Sequence, residues 1–207
     1  MTPPELTRDE VIDEVKKLQC LYGLKYESRY AHDRGEVAYA ESVAEHIYGL
    51  HILALYFLPL EDPKEAWDRT RIFELITIHD IDEIETGDTI GYLKTDANRA
   101  AEADSMRAVL SRAPAHMQTH LGRLVDEYEA QETPEARFVK ALDRFEPLIH
   151  LYNENGRKTM QRNQTTLEHS RQLKQAYVAP YPYLKHFTEI LQSVMVEEGY
   201  FWRPDAD

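Results

Sequence analysis

Apolar residues in this chain recur mostly at three- and four-residue spacing, the period that gathers them on one face of an α-helix. Little interrupts that period: glycine is scarce, and the ten prolines sit mostly at segment junctions. Start and stop signals then divide the chain. Thr7 and Glu10 form a capping-box pattern ahead of Val11, Val15, Leu18 and Tyr22, with Gly23 as the stop. A polar, irregular stretch follows from about Lys25 to Ala40. Ser42 and Glu45 repeat the capping pattern and open a helix that Pro59 should close. Asp62 with Pro63 is a third start, for a segment running through Ile72, Leu75, Ile76 and His79, with a break near Thr70 and an end by Gly87. After a loop to about Asp96, helices are expected at about 97–111, 115–130, from Thr133–Pro134 to about Asn155, at 159–176 and at 182–198. No repeat, low-complexity run or linker appears, so the expected fold class is all-α, a single-domain helical bundle over residues 1–207.

Charge and cysteine usage narrow the partners. The formal charge is −13, spread along the chain, which disfavours a nucleic-acid polymer. A small phosphorylated substrate stays compatible, because a metal ion and a few basic groups can reverse the local field. Cys20 is the only cysteine, which points to a reducing compartment. The amino terminus is polar and acidic, unlike a signal peptide, and the longest apolar run, about Ile52 to Leu60, is too short to span a bilayer. A soluble, cytoplasmic protein without a membrane partner is expected.

Four polar residues fall where the helical pattern turns inward. His46 lies in the stripe Val43, Ile47, Leu50 and Ala54; His79 follows Leu75 and Ile76, with Asp80 next; Asp143 sits among Val139, Leu142 and Phe145. Such groups are costly to bury without partners, and one divalent cation would satisfy all four. Two imidazoles with two carboxylates suit Mn²⁺, Co²⁺, Fe²⁺ or Ni²⁺ better than Mg²⁺ or Zn²⁺. Adjacent helical residues diverge by about 100°, so His79 and Asp80 can share an ion only near the helix surface. Singly, each residue also reads as a hydrogen-bonded core histidine or a capping or ion-paired aspartate.

The ordered set is more specific. Glu41-Ser-Val-Ala-Glu-His46, Ile78-His-Asp-Ile-Asp-Glu83, Thr86-Gly-Asp88 and Glu135-Ala-Arg-Phe-Val-Lys-Ala-Leu-Asp143-Arg together resemble the HD-domain metal-dependent phosphohydrolase superfamily. Asp126-Glu-Tyr-Glu129 adds a likeness to its 5′-deoxynucleotidase branch. The resemblance runs from about Gly23 to Leu151, which makes 23–151 the expected core and 157–207 a helical extension. It implies His46, His79, Asp80 and Asp143 as metal ligands and Glu83 as the residue that orients or deprotonates the attacking water. It also implies Asp88 beside the sugar or leaving oxygen, and Arg29 on the substrate phosphate. The branch favours tryptophan soon after that arginine, where this chain has Tyr30 and His32, which could stack on a base or bond a phosphate. Lys94 and Arg99 are further candidates for a phosphate, or plain surface cations. A homodimer is expected from the same resemblance.

Other patterns carry less. His116 and His120 have metal-pair spacing but no glutamate after His116, so they read as a surface pair. His51 is five residues from His46 and faces elsewhere. The tyrosines after Tyr177 read as packing for the last helices, a pocket wall or a dimer contact. The expected reaction is hydrolysis of a (deoxy)nucleoside 5′-monophosphate to nucleoside and phosphate. Its rivals are another activity of the superfamily on a nucleoside triphosphate, cyclic nucleotide, alarmone or specialised metabolite, and a non-catalytic helical module. An iron-dependent oxygenase would need a further ligand such as His51 or His150.

Overall fold

The computed structural model describes residues 16–31, 40–88 and 96–203, with backbone alone at 22, 31 and 96–103. The expected capping signal at Thr7 lies outside these residues, as do His32 and Lys94. Among the described residues the fold is all-α, as expected, with a single isolated antiparallel bridge between Ser28 and Ser42. Residues 16–21 are helical and run into 3₁₀ turns at Tyr22–Lys25 and Arg29–Ala31. The α-helices that follow are α1 (Val43–Glu61), α2 (Arg69–Ile78), α3 (Glu83–Thr86), α4 (Asp96–Arg112), α5 (Ala115–Ala130), α6 (Pro134–His150), α7 (Glu154–Arg162), α8 (Leu167–Val178) and α9 (Pro182–Glu197).

Several boundaries follow the caps read from the sequence. The Ser42–Glu45 capping box forms in both directions, and Thr133 accepts the Ala136 N–H with Pro134 at the first helical position. Three expectations need correction. Helix α1 passes Pro59 and ends at Glu61, since a proline so near the carboxy terminus removes only one late hydrogen bond. Asp62 does not start a helix. Its carboxylate accepts the Trp67 N–H at 2.8 Å and closes a turn, and Asp68 caps α2 instead. Trp67 is anchored there by Phe138 and Tyr181, with ring centroids 5.2 and 6.1 Å away. The single helix expected at 159–176 is two. Thr166 caps α8 in a reciprocal arrangement with His169, a residue outside the usual glutamate or glutamine pattern. Helix α7 starts earlier, at Glu154, under an Asn153 cap, and a Cβ on Gly156 would lie 2.0 Å from the Leu151 carbonyl oxygen. Only glycine fits there.

Helix α6 is the hub, touching α1, α2, α5, α8 and α9. Its buried stripe of Phe138, Leu142 and Phe145 meets Leu50 and Phe57 of α1 and Ile72, Leu75 and Ile76 of α2, all essentially inaccessible to solvent. Phe57 stands edge-on to Phe145 and to Phe187 at 5.3 and 5.1 Å, the geometry that aromatic quadrupoles favour. Helix α1 is the one described helix long and apolar enough, by length and composition alone, to cross a membrane. It carries a core stripe on one side and an exposed face of Tyr48, Ile52, Leu55 and Tyr56 on the other.

Candidate metal centre

The three inward-turning polar stretches meet beside this core. The ligand atoms of His46 (α1), His79 and Asp80 (the turn after α2) and Asp143 (α6) all lie within 4.8 Å of one another. His46 Nε2 is 3.5 Å from Asp143 Oδ1 and 3.8 Å from Asp80 Oδ2; His79 Nε2 is 3.0 Å from Asp80 Oδ2 and 3.9 Å from Asp143 Oδ1. Donors about 2.1 Å from a small divalent ion lie about 3.0 Å apart at right angles and about 4.2 Å apart when opposed, so the set has the right size.

The imidazoles supply an independent test of fit. His46 Nδ1 is 2.9 Å from Glu146 Oε2, and His79 Nδ1 is 2.9 Å from the Ile76 carbonyl oxygen. A neutral ring donating through Nδ1 leaves a bare lone pair on Nε2. Both Nε2 atoms are buried without a hydrogen-bond partner, and both face the carboxylates. Second-partner bonds of this kind orient metal-binding histidines. The residues present fit a divalent cation.

Local folding explains the convergence. After Ile78 the backbone stays right-handed but its hydrogen bonds span three residues instead of four, with Ile81 N–H on Ile78 O and Glu83 N–H on Asp80 O. His79 and Asp80 therefore occupy a tight turn where the expected helical segment would have run on to Gly87, and Glu83 opens the single turn of α3 that follows. Tyr128, in the acidic–aromatic element of α5, packs edge-on to His79 at 5.5 Å and receives Lys140 over its ring at 4.8 Å.

Electrostatics divide the site into charged and neutral acids. Burial would raise the Asp80 and Asp143 carboxyls, but His79 beside Asp80, and Lys140 with Arg144 beside Asp143, hold both well below the ordinary range. Burial and Arg29 would lower His46, yet Glu146 and Asp143 outweigh them and lift it to about 9. A cation arriving at Nε2 therefore displaces a proton. Glu83 is the opposite case: burial first, then Asp80 and Asp88, push its carboxyl well above the usual value, and its Oε2 has no hydrogen-bond partner. It lines a cleft over the quartet together with Arg29, Tyr30, Asp88, Lys140 and Arg144.

The remaining expected residues are more constrained. Arg29 is buried, and its Nη1 bonds Glu41 at 2.6 Å and Glu146 at 3.1 Å, so part of its fork is already committed to carboxylates. Tyr30 has φ 61°, a left-handed conformation that a tyrosine rarely adopts. Asp88 holds it by accepting the Tyr30 N–H at 2.8 Å, and the ring stacks on His150 at 5.8 Å. His150 pairs with Glu41 rather than with the quartet, and His51 bonds the Ile47 carbonyl and stacks on Phe73. Neither supplies the further ligand an iron oxygenase needs. His116 and His120 are exposed, the latter 3.1 Å from Glu74. Glu146 went unread in the sequence although it lies one turn after Asp143 on the same face of α6.

A family model described as an HD domain matches residues 22–182. The 5′-deoxynucleotidase HDDC2 of Bos taurus is 30% identical over 111 residues, 53% of this chain and 52% of that protein, and its Danio rerio counterpart 32% over 119 residues, 55% and 56%. The alignments thus span about half the length of these curated relatives. A crystal structure of a predicted metal-dependent phosphohydrolase from Magnetospirillum magnetotacticum MS-1 superposes with a TM-score of 0.77 at 26% identity, covering 93% of this chain and 98% of that one. An HD-domain phosphohydrolase from Listeria innocua shares the fold, with a TM-score of 0.63 at 21% identity over 90% and 91% of the two chains. With the matched region spanning every residue of the quartet, the chain belongs to the HD-domain family.

Proposed function

We propose that this protein is a metal-dependent phosphohydrolase that cleaves a phosphate monoester, with a (deoxy)nucleoside 5′-monophosphate as substrate and nucleoside and phosphate as products. The observation that carries the reading is the pair of buried Nε2 atoms, without hydrogen-bond partners, facing two ionised carboxylates. His46, His79, Asp80 and Asp143 would hold one divalent transition ion, of the Mn²⁺, Co²⁺, Fe²⁺ or Ni²⁺ class. Such an ion supplies Lewis acidity, easing deprotonation of water and offsetting phosphoryl charge.

The chain's own residues supply the rest. Glu83, buried with a raised pKa at the cleft wall, is suited to move a proton at the attacking water or the leaving oxygen. Arg29, fixed by Glu41 and Glu146 in the cleft lining, would bind the phosphate through its remaining guanidinium nitrogens. Asp88 fixes Tyr30 in the cleft lining, where its ring would stack on a base or bond a phosphate. The nucleotide part of the reading draws its support from the relatives named 5′-deoxynucleotidase. The same reading has the enzyme working in the cytoplasm as a homodimer, with the uncharged α1 face as the surface open to a second copy.

A metal-by-substrate screen on metal-stripped protein tests the proposal. Release of orthophosphate from deoxynucleoside monophosphates is the expected result. Release of pyrophosphate or tripolyphosphate from triphosphates would instead assign the site to another activity. Asp80→Ala should be inactive with every ion, and full activity in that variant would remove the quartet from the mechanism.

A further inference from the structure

The cleft over the quartet has a wall that the family motifs do not touch. Helix α8 lies against α6 and contributes Ser170, Leu173 and Lys174 to the lining. Lys174 is only 6% exposed, which is unusual for a lysine. Burying an ammonium costs free energy unless an anion meets it. Yet among the described residues no hydrogen bond or ion pair reaches this one. Its neighbour Ser170 is occupied, accepting from Gln192 Nε2 at 3.0 Å.

The other basic residues of the cleft differ in this respect. Arg29 is tied to Glu41 and Glu146; Lys140 lies 3.4 Å from Asp143 and 3.0 Å from the Tyr128 hydroxyl; Arg144 approaches Asp143 at 3.9 Å and lies over the Tyr177 ring at 5.5 Å. Four basic side chains in the lining (Arg29, Lys140, Arg144 and Lys174) meet four acidic ones (Asp80, Glu83, Asp88 and Asp143). With Glu83 held toward its neutral form, the basic side chains already outweigh the ionised acids of the lining, and a divalent ion makes it more positive, in a chain whose net charge is −13. An anionic ligand completes it.

We infer that Lys174 is a substrate-binding residue, whose ammonium, at the end of a largely buried side chain that lines the cleft, takes a phosphoryl oxygen of the substrate from the α8 side. The assignment rests on the phosphomonoester reading above and extends the site to a helix beyond the motif-bearing region. Burial, and then Arg144, hold its pKa down to about 8 against the opposing pull of Asp143 and Glu146, and a bound phosphate dianion would raise it again. A lysine kept for the fold would have a counter-ion at hydrogen-bond distance rather than only the longer-range pull of Asp143 and Glu146.

The test uses the full chain loaded with Mn²⁺ and inorganic phosphate as the probe, comparing wild type with Lys174→Met, Lys174→Gln and Lys174→Arg. Phosphate affinity is read by calorimetry and by Mn²⁺-induced ³¹P relaxation. A charge-assisted hydrogen bond lost from the cleft should weaken phosphate binding roughly 10- to 100-fold in the Met and Gln variants, with partial recovery in Arg. Metal stoichiometry should not change, and the Tm of the Met variant should hold or rise because an uncompensated buried charge has gone. Wild-type phosphate affinity in the Met and Gln variants overturns the assignment. So does a fall in Tm with loss of metal in both, which marks a structural lysine. A wild-type protein that hydrolyses no phosphomonoester with any ion is a separate outcome, and removes the reading on which the assignment rests.

Discussion

Glu146 offers the sharpest test of how the fold prepares the quartet. It is 4% exposed, faces His46 Nδ1 at 2.9 Å and accepts from Arg29 Nη1 at 3.1 Å. Burial would raise its carboxyl, but His46 and Arg29 outweigh that and hold it at about 2, against an ordinary 4.5. At about 1.4 kcal/mol per pKa unit, the difference corresponds to about 3 kcal/mol of stability. Breaking a buried ion pair by removing one partner costs a similar ~3–5 kcal/mol. Glu146→Gln keeps the shape and removes the charge, so metal-free protein at pH 7 should lose about 3 kcal/mol in urea unfolding. For a lowered carboxyl the contribution is present above the unfolded pKa and disappears as pH falls through the folded one. The gap between wild type and variant should therefore close between pH 4.5 and about 2. Metal affinity should fall by ~10- to 100-fold, as for other residues that orient a ligating histidine. Equal stability of the two proteins at pH 7, or a gap that persists unchanged to pH 2, would refute the assigned role.

Further predictions concern chemistry and pH. Glu83→Gln should lower turnover by ~10²- to 10⁴-fold while keeping metal content at the wild-type level, checked by elemental analysis alongside kinetics. Without metal, the raised His46 gives stability that is full below its ordinary 6.5 and is lost as pH rises through about 9. Combined with Glu146, this sets the optimum of the metal-free protein between pH 4.5 and 6.5, and added cation should flatten the alkaline side, measurable by thermal unfolding across pH.

The sequence made the helical class and the quartet legible because both are written in period and order. His46 and Asp143 fall on stripes whose other members are buried, Ile47 only in part, and the Ser42–Glu45 and Thr133–Pro134 signals start helices where they say. Asp62 misled because its carboxylate found a partner five residues on, held by the tertiary packing of Trp67, which no local rule anticipates. The break before α8 was hidden because histidine takes the reciprocal position in its capping box. Arg29 lines the cleft, but its ion pairs with Glu41 and Glu146, to residues 12 and 117 positions away, had no local signal. Lys174 gave no signal, since only the packing of α8 on α6 brings a lysine so distant in sequence into the cleft.

The central claim is that four side chains from three stretches of chain hold one cation. Crystals of the protein grown with Mn²⁺ should give a single anomalous peak about 2.0–2.3 Å from His46 Nε2, His79 Nε2, Asp80 and Asp143, and none there in Asp80→Ala. A peak elsewhere, or an undiminished one in the variant, would contradict it.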